Sequence, residues 1–234
     1  MKPIPGNAEP QLGTTAPRST APSGGTTHPT KVWYSRGYLP HYDQMGLLQF
    51  ITFRLADSLP QDKLQQLEEE LKEIKEAELG FGVPRLKSES FAIEVEKRKR
   101  IEQWLDAGMG CCALRHPQMA QVTQETLILF DGKKYRLLAW CIMPNHVHVL
   151  IEPKVPVSKI VQSWKSYTGR WAIQHDAELG LGVPGKHFWM REYWDRYIRD
   201  ENHFHSTIAY IHDNPVKAGL CAYSYEWPWS SAAK

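Results

Sequence analysis

The chain of 234 residues lacks several features that would assign a protein to a class at once. No apolar run approaches the roughly 20 residues that span a bilayer, and the N-terminus has no apolar core of a signal peptide. The four cysteines are not spaced as metal-binding pairs, and the adjacent Cys111 and Cys112 are poorly placed to bridge each other. We therefore expect reduced thiols, no membrane partner and a cytoplasmic location.

The chain also lacks a large excess of charge of one sign. Its formal net charge is +2, so any affinity for nucleic acid must come from local basic clusters. Apolar residues make up 42%, which is enough for a hydrophobic core. Many of the nine Trp and ten Tyr lie in the basic C-terminal half. Aromatic side chains beside Arg suit stacking on unpaired bases, and they suit ordinary packing equally well.

Large apolar residues are almost absent from residues 1–30, which are rich in Pro, Thr, Ser and Gly. Such a segment buries too little surface to offset the entropy of ordering, and we predict a disordered tail. Residues 31–234 are predicted to form one domain. Within it, residues 31–46 form an aromatic and basic arm without a clear period.

The segment from Tyr135 to Glu152 is the most informative stretch. An apolar run is followed by the turn dipeptide Pro-Asn and then by strict alternation, which predicts a β-hairpin. Alternation places His146 and His148 on one face of the second strand, where two imidazoles could share a divalent cation. Two hydrogen-bonded histidines of the core or rim are the alternative for a His-x-His pattern alone.

Periodicity and capping residues predict the remaining elements around this hairpin. The peptide from Ala77 to Pro84 recurs almost unchanged from Ala177 to Pro184, and its Gly and Pro content predicts two surface loop insertions. The predicted strands are Leu48 to Leu55 and Phe188 to Arg199. The first predicted helix begins after Ser58 and extends through Ile74. The other predicted helices are Ser88 to Asp106, Pro117 to Phe130, Ser158 to His175 and Asp200 to Pro215.

The last predicted helix offers a nucleophile. Tyr210 and Asn214 are spaced i, i+4 on a polar face beside the apolar stripe, so both side chains could serve one site. A phenol is a weak nucleophile near neutral pH unless a metal or a base prepares the reaction. Tyr167 is the rival candidate, although it shares an apolar stripe with Trp164 and Trp171 and is therefore placed to pack. Base rates alone favour a packing role for any single tyrosine.

Six blocks of sequence together resemble the REP-associated tyrosine transposases, a single-tyrosine branch of the His-hydrophobic-His (HUH) endonucleases related to the transposases of the smallest insertion sequences. The blocks are Tyr34-Ser-Arg-Gly-Tyr-Leu-Pro-His41, Leu137-Leu-Ala-Trp-Cys-Ile-Met-Pro-Asn-His-Val-His-Val-Leu150, Trp164-Lys-Ser-Tyr-Thr168, Tyr193-Trp-Asp-Arg-Tyr-Ile-Arg-Asp200, Tyr210-Ile-His-Asp-Asn-Pro-Val-Lys-Ala-Gly219 and Trp227-Pro-Trp-Ser-Ser231. The resemblance excludes the tail and the two repeated peptides.

The resemblance implies an α+β fold, a ferredoxin-like α/β sandwich with a central antiparallel sheet, here with helical insertions and a disordered N-terminal tail. It implies that His146, His148 and Asn214 bind Mg2+ or Mn2+, and that Tyr210 is the nucleophile, with Tyr167 as second choice. The implied partner is single-stranded DNA with REP-type hairpins, and the implied reaction is strand cleavage and transfer through a 5'-phosphotyrosine.

Two other functions remain open at this stage. One is a cleavage-deficient protein that binds REP hairpins as a regulator, and the other is a His-based metallohydrolase with a small substrate. The sequence does not distinguish a monomer from a homodimer. Basic and aromatic positions are expected to hold the DNA, namely Arg36, Tyr38, Lys165, Arg170, Arg191, Arg196 and Arg199, together with Trp33, Tyr193 or Trp194.

Overall fold

A computed structural model of the chain describes residues 33–35, 40–42, 46–80, 87–183, 185 and 187–233. The predicted tail lies outside these ranges, as do Arg36 and Tyr38 of the predicted arm. The described part of the arm contains two short antiparallel strands, β1 (Trp33–Ser35) and β2 (Pro40–Tyr42), where the sequence showed no period.

Among the described residues, four further strands form one antiparallel sheet in the order β4-β5-β3-β6. The predicted hairpin is confirmed, because β4 and β5 pair through the turn at residues 143–145. The strand that precedes the helices in sequence, β3, lies between β5 and β6. The strands are β3 (Gln49–Arg54), β4 (Tyr135–Ile142), β5 (His146–Pro153) and β6 (Trp194–Tyr197).

In the part of the chain that the structure describes, five α-helices connect or cover these strands. Pro117 occupies the first turn of its helix, where its missing N–H costs no hydrogen bond, and the side chain of Asp200 accepts a hydrogen bond from the His203 N–H at the start of the last helix. The helices are α1 (Gln61–Gly80), α2 (Lys87–Asp106), α3 (Pro117–Leu129), α4 (Val157–Leu179) and α5 (Glu201–Lys217).

The two faces of the sheet bury different helices. Ile51, Phe53 and Val149 alternate onto the face that packs on α3 and α4. Phe50 and Leu150 alternate onto the opposite face, which packs on α5. With its β-α-β-β-α-β core and this strand order, the sheet has the ferredoxin-like arrangement, and the predicted fold class is confirmed.

Helices α1 and α2 are an insertion between β3 and α3. Leu67 and Leu71 of α1 pack against Ile101 and Trp104 of α2, so the two helices share a small apolar cluster of their own. None of the helices in the described ranges is long and apolar enough to cross a membrane.

Several sequence-based boundaries were wrong. Pro215 does not end α5, which continues to Lys217, because a proline in the last turn interrupts few helical bonds and the Ala218 N–H still reaches the Asn214 carbonyl at 2.9 Å. Pro156, not Ser158, is the N-cap of α4. This helix also continues into the second repeated peptide and ends at Leu179, before Gly180 in the left-handed conformation.

The repeated peptides are not simple surface loops. In the first copy, α1 continues to Gly80, and the residues that follow directly lie outside the described ranges. In the second copy, Leu181 is buried against the core between the sheet, α3 and α4. An apolar side chain inside a Gly-rich segment gave no periodic signal, so the sequence did not reveal this contact.

Candidate active site on the sheet face covered by α5

The two histidines of β5 point to the same face and meet at their ring edges. Only 1% of His146 and 2% of His148 is exposed, and their Nε2 atoms lie 3.0 Å apart. The ring centres are 4.6 Å apart at an interplanar angle of 81°. Two nitrogen atoms thus converge on one point, as the alternation of β5 predicted.

Each histidine has a hydrogen-bonding partner on its other ring nitrogen. His146 Nδ1 lies 2.7 Å from Asn145 Oδ1, and His148 Nδ1 lies 2.9 Å from the hydroxyl of Thr52. Thr52 reaches its partner because β3 pairs with β5 in the register that places Thr52 opposite His148. Such contacts orient imidazoles that bind metals.

Tyr210 approaches the histidine pair from α5. Its ring centre lies 5.4 Å from that of His148 at an interplanar angle of 73°, and 5.8 Å from that of Phe50. One turn later, Asn214 is 1% exposed, and its Nδ2 donates to the Tyr210 carbonyl at 2.7 Å. This bond leaves the carboxamide oxygen of Asn214 as the atom that could serve as a ligand.

Tyr167 does not lie at this site. It belongs to α4, which packs on the opposite face of the sheet, and 53% of the residue is exposed. The sheet therefore separates Tyr167 from the two histidines, and the structure brings Tyr210 rather than Tyr167 to the histidine pair.

The donor set fits a hard divalent cation with open positions. Neighbouring ligands of an octahedral ion with bond lengths of roughly 2.0 to 2.1 Å lie about 3 Å apart, which is the separation of the two Nε2 atoms. Burial lowers the pKa of His146 to about 3, so its imidazole is neutral, as a ligand must be. Within the described ranges, no three His, Cys, Asp or Glu side chains are grouped to hold a metal, so further ligands would be amide, water or substrate oxygens.

A positive charge lies beside the phenol. Lys217 Nζ is 4.9 Å from the centre of the Tyr210 ring. Burial, and then repulsion by Glu102, raises the pKa of Asp106 at the end of α2 to about 6, while attraction to Lys217 opposes this rise. The last turn of α5 therefore places Lys217 beside the candidate nucleophile, and Asp106 at the end of α2 interacts electrostatically with this lysine.

The predicted DNA contacts have different environments. Lys165 Nζ donates to the carbonyl oxygens of Met190, Arg191 and Glu192 at 2.9, 3.2 and 3.0 Å. Burial lowers the pKa of Lys165 to about 7, yet three carbonyls match the three N–H groups of an ammonium, and we take the side chain to be charged. Its charge is thus engaged within the protein rather than presented to a phosphate.

Among the other predicted contacts, those whose burial the structure describes are more accessible, with one exception. Arg170, Arg191 and Arg199 are exposed. Arg196 and Trp194 are half-buried on β6, opposite Phe50 and Thr52 of β3, and therefore lie on the face that carries the histidines. Tyr193 is buried in the core cluster of the opposite face and offers no surface for stacking.

Sequence reasoning missed three residues at this site: Thr52, Asn145 and Lys217. Asn145 lies in a turn dipeptide that any hairpin could contain, and Thr52 lies in a strand whose partner was unknown. The i, i+7 spacing of Tyr210 and Lys217 corresponds to about two helical turns and was the one available signal. The boundary expected at Pro215 obscured it.

Residues 117–214 match the family described as "Transposase IS200 like". The matched segment contains both histidines, Tyr210 and Asn214. Over 100 residues the chain is 24% identical to the REP-associated tyrosine transposase of Escherichia coli K12, an alignment that covers 42% of this chain and 55% of the relative. The resemblance found in the sequence blocks is therefore confirmed.

Two more proteins resemble the chain. One is a Haemophilus influenzae Rd protein with a provisional assignment as a REP-associated tyrosine transposase. It is 26% identical over 110 residues, and the alignment covers 42% of this chain and 58% of the relative. The chain thus matches little more than half the length of these curated relatives. A solved structure of a REP-associated tyrosine transposase bound to a REP hairpin superposes with a TM-score of 0.48 at 16% identity, covering 83% of this chain and 81% of that one.

Proposed function

We propose that the chain is a Mg2+ or Mn2+ dependent endonuclease and strand transferase that acts on single-stranded DNA carrying REP-type hairpins. The observation that carries this proposal is the meeting of Tyr210 with His146 and His148 on one face of the sheet. A phenol, two converging imidazole nitrogens and a nearby amide are the groups that a tyrosine-based phosphoryl transfer requires.

In the proposed reaction, the phenol oxygen of Tyr210 attacks the scissile phosphorus. A bond forms between tyrosine and the 5' phosphate, the bond from phosphorus to the 3' oxygen breaks, and the proton lost by the phenol is balanced by the proton gained by the 3' oxygen. Attack by another 3'-OH reverses the step and joins strands, so that no external energy source is consumed.

His146, His148 and Asn214 would hold the divalent cation, which when bound polarises the phosphodiester and stabilises negative charge on the leaving oxygen. The protein contributes the positions of these ligands and of the phenol. Lys217 adds a fixed positive charge beside the Tyr210 ring, and such a charge favours the phenolate that develops during attack.

Substrate is proposed to lie along the face of the sheet that carries the site. Arg196 and Trp194 on β6 lie on this face, and β2 of the arm lies close to β6. A guanidinium and an indole beside each other suit a phosphate and an unpaired base. The exposed Arg170, Arg191 and Arg199 are further candidates for phosphate contacts.

The test is covalent capture of DNA. The protein is incubated with single-stranded oligonucleotides that carry REP hairpins, with and without Mn2+, and adducts are resolved by denaturing electrophoresis. We expect a metal-dependent adduct that Tyr210→Phe abolishes, with hairpin affinity kept within a few-fold, while Tyr167→Phe serves as the matched control and retains it.

Each alternative function gives a different result in this experiment. A cleavage-deficient regulator would bind the hairpin without an adduct, with wild type and Tyr210→Phe alike. A small-substrate metallohydrolase would neither bind the hairpin nor respond to the loss of Tyr210. An adduct that persists in Tyr210→Phe and disappears in Tyr167→Phe would transfer the nucleophile role to Tyr167.

A further inference from the structure

The amide of Asn145 has an orientation that its surroundings fix. Its Nδ2 donates to the carbonyl oxygens of Leu105 at 3.1 Å and Met109 at 2.9 Å. Backbone carbonyls only accept hydrogen bonds, so the amide nitrogen must face them and the amide oxygen must face His146. Asn145 is fully buried, and a flipped amide would leave two carbonyls facing an oxygen.

The fixed amide determines which nitrogen of His146 carries the proton. Asn145 Oδ1, 2.7 Å from His146 Nδ1, can only accept, so Nδ1 of the neutral ring donates. Nε2 of His146 is then unprotonated, and its lone pair points to His148. The neighbouring Nε2 of His148, 3.0 Å away, must supply the proton between the two rings in the metal-free protein.

Thr52 completes the arrangement. When His148 carries its proton on Nε2, its Nδ1 accepts from the Thr52 hydroxyl at 2.9 Å. A hydroxyl can also accept a hydrogen bond. If the Thr52 hydroxyl rotates to accept, His148 can carry its proton on Nδ1, and the lone pair of His148 Nε2 is then available to a ligand, like that of His146 Nε2. A residue that only donates or only accepts could not serve both states.

We infer that Asn145 and Thr52 are positioning residues that control the tautomers of His146 and His148, so that both Nε2 lone pairs are available to one cation. The ligand role of the pair rests on the proposed function, but the tautomers in the metal-free protein do not. We call Asn145 and Thr52 the tautomer clamp.

The helical insertion and the loop after it hold one member of this clamp, Asn145. Leu105 lies in the last turn of α2, where carbonyl groups lack partners within the helix, and Met109 follows the helix. The loop behind Met109 is held in turn, because the Cys111 N–H donates to Asp57 Oδ2 at 2.6 Å. The insertion lies outside residues 117–214 that match the family, so it supports the histidine pair from beyond the matched segment.

The direct test measures the tautomers in metal-free wild-type protein by long-range 15N–1H NMR of the imidazole rings. We expect the Nδ1–H form for His146 and the Nε2–H form for His148, with His148 shifting to Nδ1–H when Mg2+ is added. An Nε2–H form for His146 would overturn the inference. This measurement needs no variant.

Variants test the two members of the clamp separately. Asn145→Ala should give a mixture of His146 tautomers and weaken Mn2+ binding by about 10 to 100-fold. Thr52→Val should weaken Mn2+ binding by about tenfold or more, whereas Thr52→Ser, which keeps the hydroxyl, should stay within about twofold of wild type. Unchanged Mn2+ affinity in Thr52→Val would refute the role of Thr52. The comparison of Thr52→Val with Thr52→Ser tests this role even if Asn145→Ala does not fold. Failure of the proposed function would appear instead as absence of the DNA adduct with the expected tautomers in place.

Discussion

Lys217 Nζ lies 4.9 Å from the centre of the Tyr210 ring, and Pro215 lies within the helix between the two residues. Two helical turns separate them, so the lysine side chain lies over the turn that carries the phenol. The proline that sequence reasoning took as the end of α5 thus lies inside the segment that carries the candidate nucleophile Tyr210, the amide of Asn214 and the positive charge of Lys217.

Replacing this lysine should slow the reaction of the tyrosine. Lys217→Met removes a positive charge that favours the phenolate, and we expect adduct formation at pH 7 to slow by about tenfold, equivalent to about 1.4 kcal/mol. Lys217→Arg retains the charge and should retain most of the rate. The rate difference between wild type and Lys217→Met should shrink as pH rises. Equal single-turnover rates of adduct formation for Lys217→Met and Lys217→Arg at every pH would exclude an electrostatic role.

Metal binding should depend unequally on the three candidate ligands. His148→Ala should eliminate the adduct and most Mn2+ binding, because an imidazole is a strong nitrogen ligand. Asn214→Ala should do less, since water can replace a neutral amide oxygen. Calorimetric titration with Mn2+ gives the comparison, with Tyr167→Phe as control. Wild-type affinity in His148→Ala would show that the histidine pair is structural.

The stability of the fold should depend on Asp106. The folded-state pKa is about 6, above the ordinary 3.8, so ionisation opposes folding. This group therefore costs no stability well below pH 3.8. The cost develops between pH 3.8 and about 6, where the unfolded chain loses the proton and the folded chain keeps it, and it is fully present above that range. Asp106→Asn should be more stable than wild type at pH 8 by about 1 to 2 kcal/mol after allowance for solvent screening, and the gain should be smaller at pH 5. Urea unfolding at the two pH values measures this difference, and a pH-independent gain would contradict the assignment.

The two basic residues Lys165 and Arg196 should differ in effect. Lys165→Met leaves three carbonyls without their donor, and we expect a loss of about 1 to 3 kcal/mol in the free energy of unfolding, with an unchanged salt dependence of hairpin binding. Arg196→Ala should spare stability and lower the slope of log affinity against log salt by about 1. A reduced slope in Lys165→Met would return that residue to the DNA contacts.

The sequence predicted the parts of the fold that local pattern encodes. Alternation in β5 placed both histidines on one face, and helical spacing placed Tyr210 and Asn214 together. The pairing of β3 with β5, which joins residues 96 positions apart in the contact of Thr52 with His148, has no local signature. The same holds for Asn145, whose partners Leu105 and Met109 belong to an insertion.

Burial also limited what the sequence could reveal about basic residues. Lys165 and Tyr193 carry the composition of a nucleic-acid surface, yet one is bonded to backbone carbonyls and the other lies in the core. A basic or aromatic residue in a favourable motif cannot be assigned to a surface until the helix or strand beside it is placed. Arg196 stays a predicted DNA contact, because strand register places it on the face that carries the histidines.

The position of β3 between β5 and β6 has a practical consequence for dissecting this protein. The segment that matches the family begins at residue 117 and so contains β4, β5 and β6 without the strand that joins them. A fragment cut to those limits would expose the facing backbone groups of β5 and β6, an arrangement prone to pairing between molecules. The smallest segment that retains both the whole sheet and the helix that carries Tyr210 runs from β3 to α5, so the segment that matches the family and the segment that contains the sheet do not coincide.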